Sequence, residues 1–273
     1  MKILVTGATG TVGRHVVDQL LKKGVEVRAV SRNPEKASLP SGVEVVAGDL
    51  AAPDSLEEAL QDVEGLYLIL SSDQAGPVLQ TDTSIIKMAA DKGVKKIVVL
   101  MDYDGNPVEY VVQDSGMEWT LIKPVEFMAN VLDDWQESIR TEGVVRVPFA
   151  DALSARIHEA DIAAVAVTSL TEEGHSGQSY YVTGPEVFSR AETVKKMAEA
   201  IGKEISFIEL SEEEARQGWK EQGFQDEDID FFVEMGKNPP EVGYTVLPTV
   251  EQVTGQPART FAQWLSENKH KFQ

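Results

Sequence analysis

Three glycines, Gly7, Gly10 and Gly13, lie between the apolar run Lys2-Ile3-Leu4-Val5-Thr6 and the residues Val16, Val17, Leu20 and Leu21. The spacing Gly-x-x-Gly-x-x-Gly serves a specific chemistry. A diphosphate binds where backbone N–H groups at the start of a helix face outward and no Cβ stands in the way. The stretch Gly7-Ala8-Thr9-Gly10-Thr11-Val12-Gly13 is therefore expected to hold the pyrophosphate of a dinucleotide, with Gly7, Thr9, Gly10, Thr11, Val12 and Gly13 in contact.

A second group lies about 20 residues further on, where a carboxylate accepts ribose hydroxyls in NAD-binding folds and an arginine takes a 2′-phosphate in NADP-binding ones. Ser31-Arg32-Asn33-Pro34 stands there, with Lys36 next to it. Two cations and no acid point to NADP(H), since a guanidinium forks onto phosphate. The plainer reading is a solvated loop arginine. Asp49, in Gly48-Asp49-Leu50, is placed to accept from an adenine amine or to cap the segment behind it, and the roles are compatible.

These residues need a scaffold. Lys2 to Thr6 reads as a buried strand and the residues after Gly13 as a helix that Gly24 ends. Further strands are expected at Val25 to Val30, Gly42 to Ala47, Gly65 to Leu70, Lys95 to Leu100 and Glu118 to Ile122. Helices are expected at 53–60, 83–92 and 106–113, so strand and helix alternate as in a doubly wound parallel sheet. The fold class is α/β, Rossmann type, with residues 1–125 as the dinucleotide-binding domain and a segment near 155–185 returning to it. Residues 126–273 form the bulk of a smaller, discontinuous α/β lobe, expected to bind substrate and close over the cofactor. In it, Ser189 and Glu192 read as a capping box. Trp219, Phe224, Phe231 and Phe232 on two acidic helices are expected to cover a cleft or a subunit contact.

Composition narrows the function classes. A net charge of −20 repels nucleic acid and anionic lipid, so the expected partner is a small molecule and the protein a monomer or homodimer. With no cysteine and four scattered histidines, neither thiol chemistry nor a metal site is expected. A basic leader and a run of about 18 apolar residues are both lacking, and a cytoplasmic location is expected.

The chain resembles the NmrA-like branch of the atypical short-chain dehydrogenases over essentially its whole length. The resemblance rests on the glycine turn, Val27 to Pro34, Gly48-Asp49-Leu50, Leu121-Ile122-Lys123-Pro124 with Phe127-Met128-Ala129-Asn130, Asp161-Ile162-Ala163, Tyr181 to Pro185, and Thr254-Gly255-Gln256-Pro257 with Phe261 and Trp264. It implies quinone and dye reductases, other reductases, or redox sensors that bind the dinucleotide without consuming it. It also implies that Leu50, Ser71, Ser72, Lys123 and Pro124 join the cofactor site and that Phe127 and Asn130 border the substrate. The superfamily's Tyr-x-x-x-Lys is missing: the residues four after the six tyrosines are Ser71, Pro107, Asp114, Gly184, Pro185 and Pro248. Tyr103 and Lys123 are the groups left to assist hydride transfer, and His158 is expected to be structural, with the cleft as its other possible address. The expected activity is NADPH-dependent reduction of a small quinone, dye or carbonyl compound. A non-catalytic sensor is the alternative, and a sugar-nucleotide epimerase is disfavoured without its tyrosine.

Overall fold

The computed structural model describes residues 1–70, 83–101 and 105–273. Its first elements are strand β1 (Lys2–Val5), helix α1 (Gly13–Lys22), β2 (Glu26–Ser31), β3 (Val43–Ala47), β4 (Gly65–Ile69), α2 (Ser84–Asp91), β5 (Lys96–Leu100), α3 (Val108–Gln113) and β6 (Glu118–Pro124). Then come α4 (Asn130–Thr141), β7 (Val144–Pro148), β8 (Leu153–Ser154), α5 (Glu159–Thr171), β9 (Gln178–Val182), β10 (Phe188–Ser189) and α6 (Arg190–Ile201). The chain finishes with β11 (Ser206–Leu210), α7 (Glu212–Glu221), α8 (Asp226–Lys237), α9 (Thr249–Thr254) and α10 (Phe261–Asn268). Two units are distinct: Met1–Pro124 with Glu159–Val182 and Thr249–Gln256, and Val125–His158 with Thr183–Pro248 and Pro257–Gln273.

In the first unit the described strands form a seven-stranded parallel sheet in the order β3-β2-β1-β4-β5-β6-β9. Side chains alternate between its faces. Leu4, Leu66, Leu68, Ile97, Val99 and Leu121 point to one face and pack with Ile85, Ile86, Val108 and Val112 of α2 and α3. On α1, Val16, Val17 and Leu20 are completely buried, each contributing roughly 1.5 to 3 kcal/mol of apolar burial. Helix α5 packs against α1 and is buried along nearly its whole length. The chain reverses direction across the sheet at β1, which has β2 on one side and β4 on the other, and such a switch point leaves a ligand crevice beyond the strands' C-terminal ends.

One expectation changes here. Residues 53–60 do not form an α-helix: a 3-10 turn covers Pro53–Leu56, and irregular turns run on to Asp62, whose φ is 58°. Arg28 donates from Nη1 to the carbonyls of Ala59 at 2.9 Å and Gln61 at 2.7 Å, satisfying acceptors that these turns leave open. The β2–β3 and β3–β4 connections each carry a 3-10 turn.

The second unit packs Met128, Val131, Trp135, Ile139, Val145, Val194, Met197, Trp264 and Phe272 into one core. Its small sheets are a parallel β7–β11 pair and an antiparallel β8–β10 pair. Ser189 and Glu192 form the expected capping box on α6, with Glu192 N–H donating to Ser189 Oγ at 3.1 Å and Ser189 N–H to Glu192 Oε2 at 2.8 Å. The Ser189 N–H holds the Glu192 carboxyl below the usual range. The rings of Trp219 from α7, Phe224 from the connection and Phe231 from α8 gather around Phe232 of α8, and Phe224 and Phe231 stay exposed. Among the described residues no helix is long and apolar enough to cross a membrane, and no group of three acidic or histidine side chains is set to hold a metal.

Candidate cofactor site

The glycine turn is anchored by Thr6. Its N–H and its hydroxyl both donate to the Tyr67 carbonyl, at 3.0 and 3.1 Å, and its Oγ1 accepts from Ile69 N–H at 2.9 Å, locking the end of β1 to the end of β4. Gly7 then takes a left-handed φ of 60°, and Gly10 N–H closes the turn onto the Gly7 carbonyl at 2.9 Å. A Cβ on Gly13 would stand 2.0 Å from the Gly7 oxygen, and one on Gly7 would run into Ile69 at 2.4 Å. Gly10 differs: a Cβ there would meet only the Gly7 oxygen at 3.1 Å, and both Gly10 and Thr9 face solvent. The first and third glycines thus close the turn, while the middle one keeps its outer surface low. Helix α1 begins with no side-chain cap and no acid in its first turn, so its positive end is left for an anion. Val12 is buried in the core, so any contact from it is through the backbone. These features fit a dinucleotide pyrophosphate.

Arg32 lies exposed just past β2, and Lys36 ends an exposed 3-10 turn, Pro34–Lys36. Ser31 Oγ accepts from Asn33 N–H at 3.1 Å, which turns the chain there. Asp49 closes its own turn: Oδ1 accepts from Ala51 N–H at 2.9 Å, and its N–H donates to Ser55 Oγ at 2.9 Å. Leu50 is 4 % exposed and belongs to the apolar core, so its side chain is part of the sheet packing.

Lys123, next to last in β6, is held by a residue that sequence reasoning missed. Glu109 on α3 accepts from Lys123 Nζ at 3.1 Å and 3.3 Å through its two carboxylate oxygens. Both side chains are largely buried, at 12 % and 17 % exposure. Lys123 is also in register with Tyr181 of β9, and its ammonium stands 5.7 Å from that ring's centre. Tyr110, the tyrosine on α3, is 64 % exposed. Ser71, Ser72 and Tyr103 lie outside the described residues. No sequence signal marks Glu109, because its partner is 14 residues away across a helix-to-strand connection.

In the second unit, Phe127 bridges to Ile157, and Met128 N–H donates to the Ile157 carbonyl at 2.9 Å. Met128 is core, whereas Phe127 and Asn130 are half-buried and Asn130 opens α4. His158 is 2 % exposed, with Nε2 at 3.4 Å from Glu267 of α10.

Known proteins bear on this geometry. The NAD(P)H-binding family matches residues 7–173. The chain is 34% identical to a (4-alkanoyl-5-oxo-2,5-dihydrofuran-3-yl)methyl phosphate reductase of Streptomyces griseus and 34% identical to an NAD(P)H azoreductase of Xenophilus azovorans, with 99% of both chains covered in each comparison. Among solved structures, the NADPH-dependent quinone oxidoreductase of Escherichia coli complexed with NADPH superposes with a TM-score of 0.81 at 27% identity, covering 98% of this chain and 99% of that one. The triphenylmethane reductase of Citrobacter sp. has the same fold, with a TM-score of 0.83 at 22% identity over 99% of this chain. The chain belongs to the NAD(P)H-binding family, in agreement with its resemblance to atypical short-chain dehydrogenases.

Proposed function

We propose that the protein is an NADPH-dependent reductase that passes hydride to a small quinone, dye or carbonyl compound. The observation that carries this reading is the glycine turn, shaped for a pyrophosphate, with Arg32 beyond the neighbouring strand where a 2′-phosphate is read. The two relatives 34% identical over 99% of their length are reductases by name, which supports the reaction class. Bound NADPH would supply the hydride, and the protein's part is to hold it and to stabilise the charge that develops on the acceptor. Lys123 is the described group suited to that second task, at the C-terminal end of β6. Phe127 and Asn130 border the substrate in this reading. A net charge of −20 and the lack of cysteine suit a cytoplasmic protein, monomer or homodimer, that works on small molecules rather than nucleic acid.

The test is steady-state oxidation of NADPH against a panel of quinones, dyes and aldehydes, beside calorimetric titration with NADPH and NADH. Turnover with any acceptor, and tighter binding of NADPH than NADH, support the reading. Tight binding of oxidised and reduced cofactor with no turnover anywhere on the panel supports a redox sensor instead.

A further inference from the structure

The ion pair between Lys123 and Glu109 is built at a cost. Each side chain gives up most of its hydration, and pairs of this kind are commonly no more stabilising than apolar residues of the same size. Its place argues for a use. All seven strands of the sheet run parallel, so the C-terminal end of β6, where Lys123 stands, lies along the same edge as the glycine turn after β1. Glu109 comes from α3, the helix between β5 and β6, and approaches the ammonium with both oxygens. The Tyr181 ring of β9 stands 5.7 Å from the same ammonium. An aliphatic amine on four rotatable bonds thereby has partners from two elements, α3 and β9.

We infer that Glu109 is a positioning residue for Lys123, holding the ammonium aimed into the crevice so that it donates a hydrogen bond to the acceptor atom that gains negative charge. The inference rests on the reductase reading above. Lys123 keeps its proton throughout, and the reduced acceptor takes its own from water. The titratable groups facing Lys123 include Glu109 from α3 and Tyr181 from β9.

Glu109→Gln preserves the shape and an acceptor oxygen but removes the charge that favours the ammonium. Turnover of the best acceptor is measured against pH for the wild type, Glu109→Gln, Lys123→Met and Lys123→Arg, with thermal melts and NADPH affinity recorded for each. The expected results are an alkaline limb of kcat moved down by about one unit in Glu109→Gln, a loss of about 100-fold in kcat for Lys123→Met, and recovery of at least a tenth of wild-type kcat in Lys123→Arg. NADPH affinity stays within about threefold in Glu109→Gln. A Glu109→Gln profile that superimposes on the wild type, or a Lys123→Met variant that is folded and fully active, overturns the inference while leaving the reductase reading in place. Lack of turnover by the wild type overturns the reductase reading and this inference with it.

Discussion

Gly13 sits so close beneath Gly7 that a single methyl group on it would stand 2.0 Å from the Gly7 carbonyl oxygen. No side-chain rotation relieves such a contact, because the obstacle is backbone. Gly13→Ala is expected to cost about 2 kcal/mol or more of stability and to abolish cofactor binding, as read by urea unfolding and calorimetry. Gly10→Val separates the two effects. Its melting temperature is expected to stay within a few degrees of the wild type while NADPH binding is lost. Retained binding would mean that the pyrophosphate lies elsewhere.

Arg32 is the residue on which cofactor choice turns. Arg32→Ala is expected to weaken NADPH binding by about 10- to 100-fold and to leave NADH within about twofold, measured by titration at fixed ionic strength. Equal losses for both cofactors would remove the reason for assigning a 2′-phosphate to it.

Tyr67, in the middle of β4, is fully buried, and its hydroxyl has no hydrogen-bond partner among the described residues. Burial pushes its phenol well above the usual range. Removing the hydroxyl removes an unmet hydrogen-bonding group, so Tyr67→Phe is expected to stabilise the protein by about 1 kcal/mol, or roughly 2 °C in melting temperature. The raised phenol also sets the sign of a pH effect. Below about pH 10 the tyrosine is neutral in both folded and unfolded chains. Above it, only the unfolded chain ionises, and stability falls as pH rises. Tyr67→Phe should therefore lose less stability than the wild type between about pH 10 and 11. Identical alkaline denaturation curves would contradict this.

Arg156 organises the second unit. Its Nη2 lies 3.0 Å from Glu126, its Nη1 donates to Thr193 at 2.8 Å, and its guanidinium packs 5.9 Å from the Trp135 ring centre. Arg156→Met is expected to cost about 2 to 3 kcal/mol and to loosen the segment from Glu126 to Asn130. Chemical denaturation measures the first effect and hydrogen exchange of that segment the second. Unchanged exchange would show that the bridge between Phe127 and Ile157 holds the segment alone.

The sequence made the scaffold legible wherever the pattern was local. The glycine turn, the strands with their alternating apolar residues and the Ser189–Glu192 box all depend on neighbours within about one helical turn, and each is found in the structure. What stayed hidden depends on distant partners. Arg28 is 8 % exposed within β2 and binds carbonyls more than 30 residues away, in the irregular turns that stand where a helix was expected. Leu50, like Val12, has its side chain in the core, so any contact it makes with a cofactor is through the backbone. Glu109 carried no signal, since a glutamate on a short helix becomes informative only when β6 brings Lys123 to it.

The measurement that tests the central claim most directly is isotope transfer. The protein is mixed with NADPH carrying deuterium at the nicotinamide C4 and with a triphenylmethane dye, whose central carbon keeps a hydride without exchange, and the product is weighed by mass spectrometry. The account predicts reduced dye carrying deuterium from one face of the nicotinamide, formed only when the protein is present. Tight NADPH binding with no label in the dye, and none in carbonyl acceptors tested the same way, would contradict it.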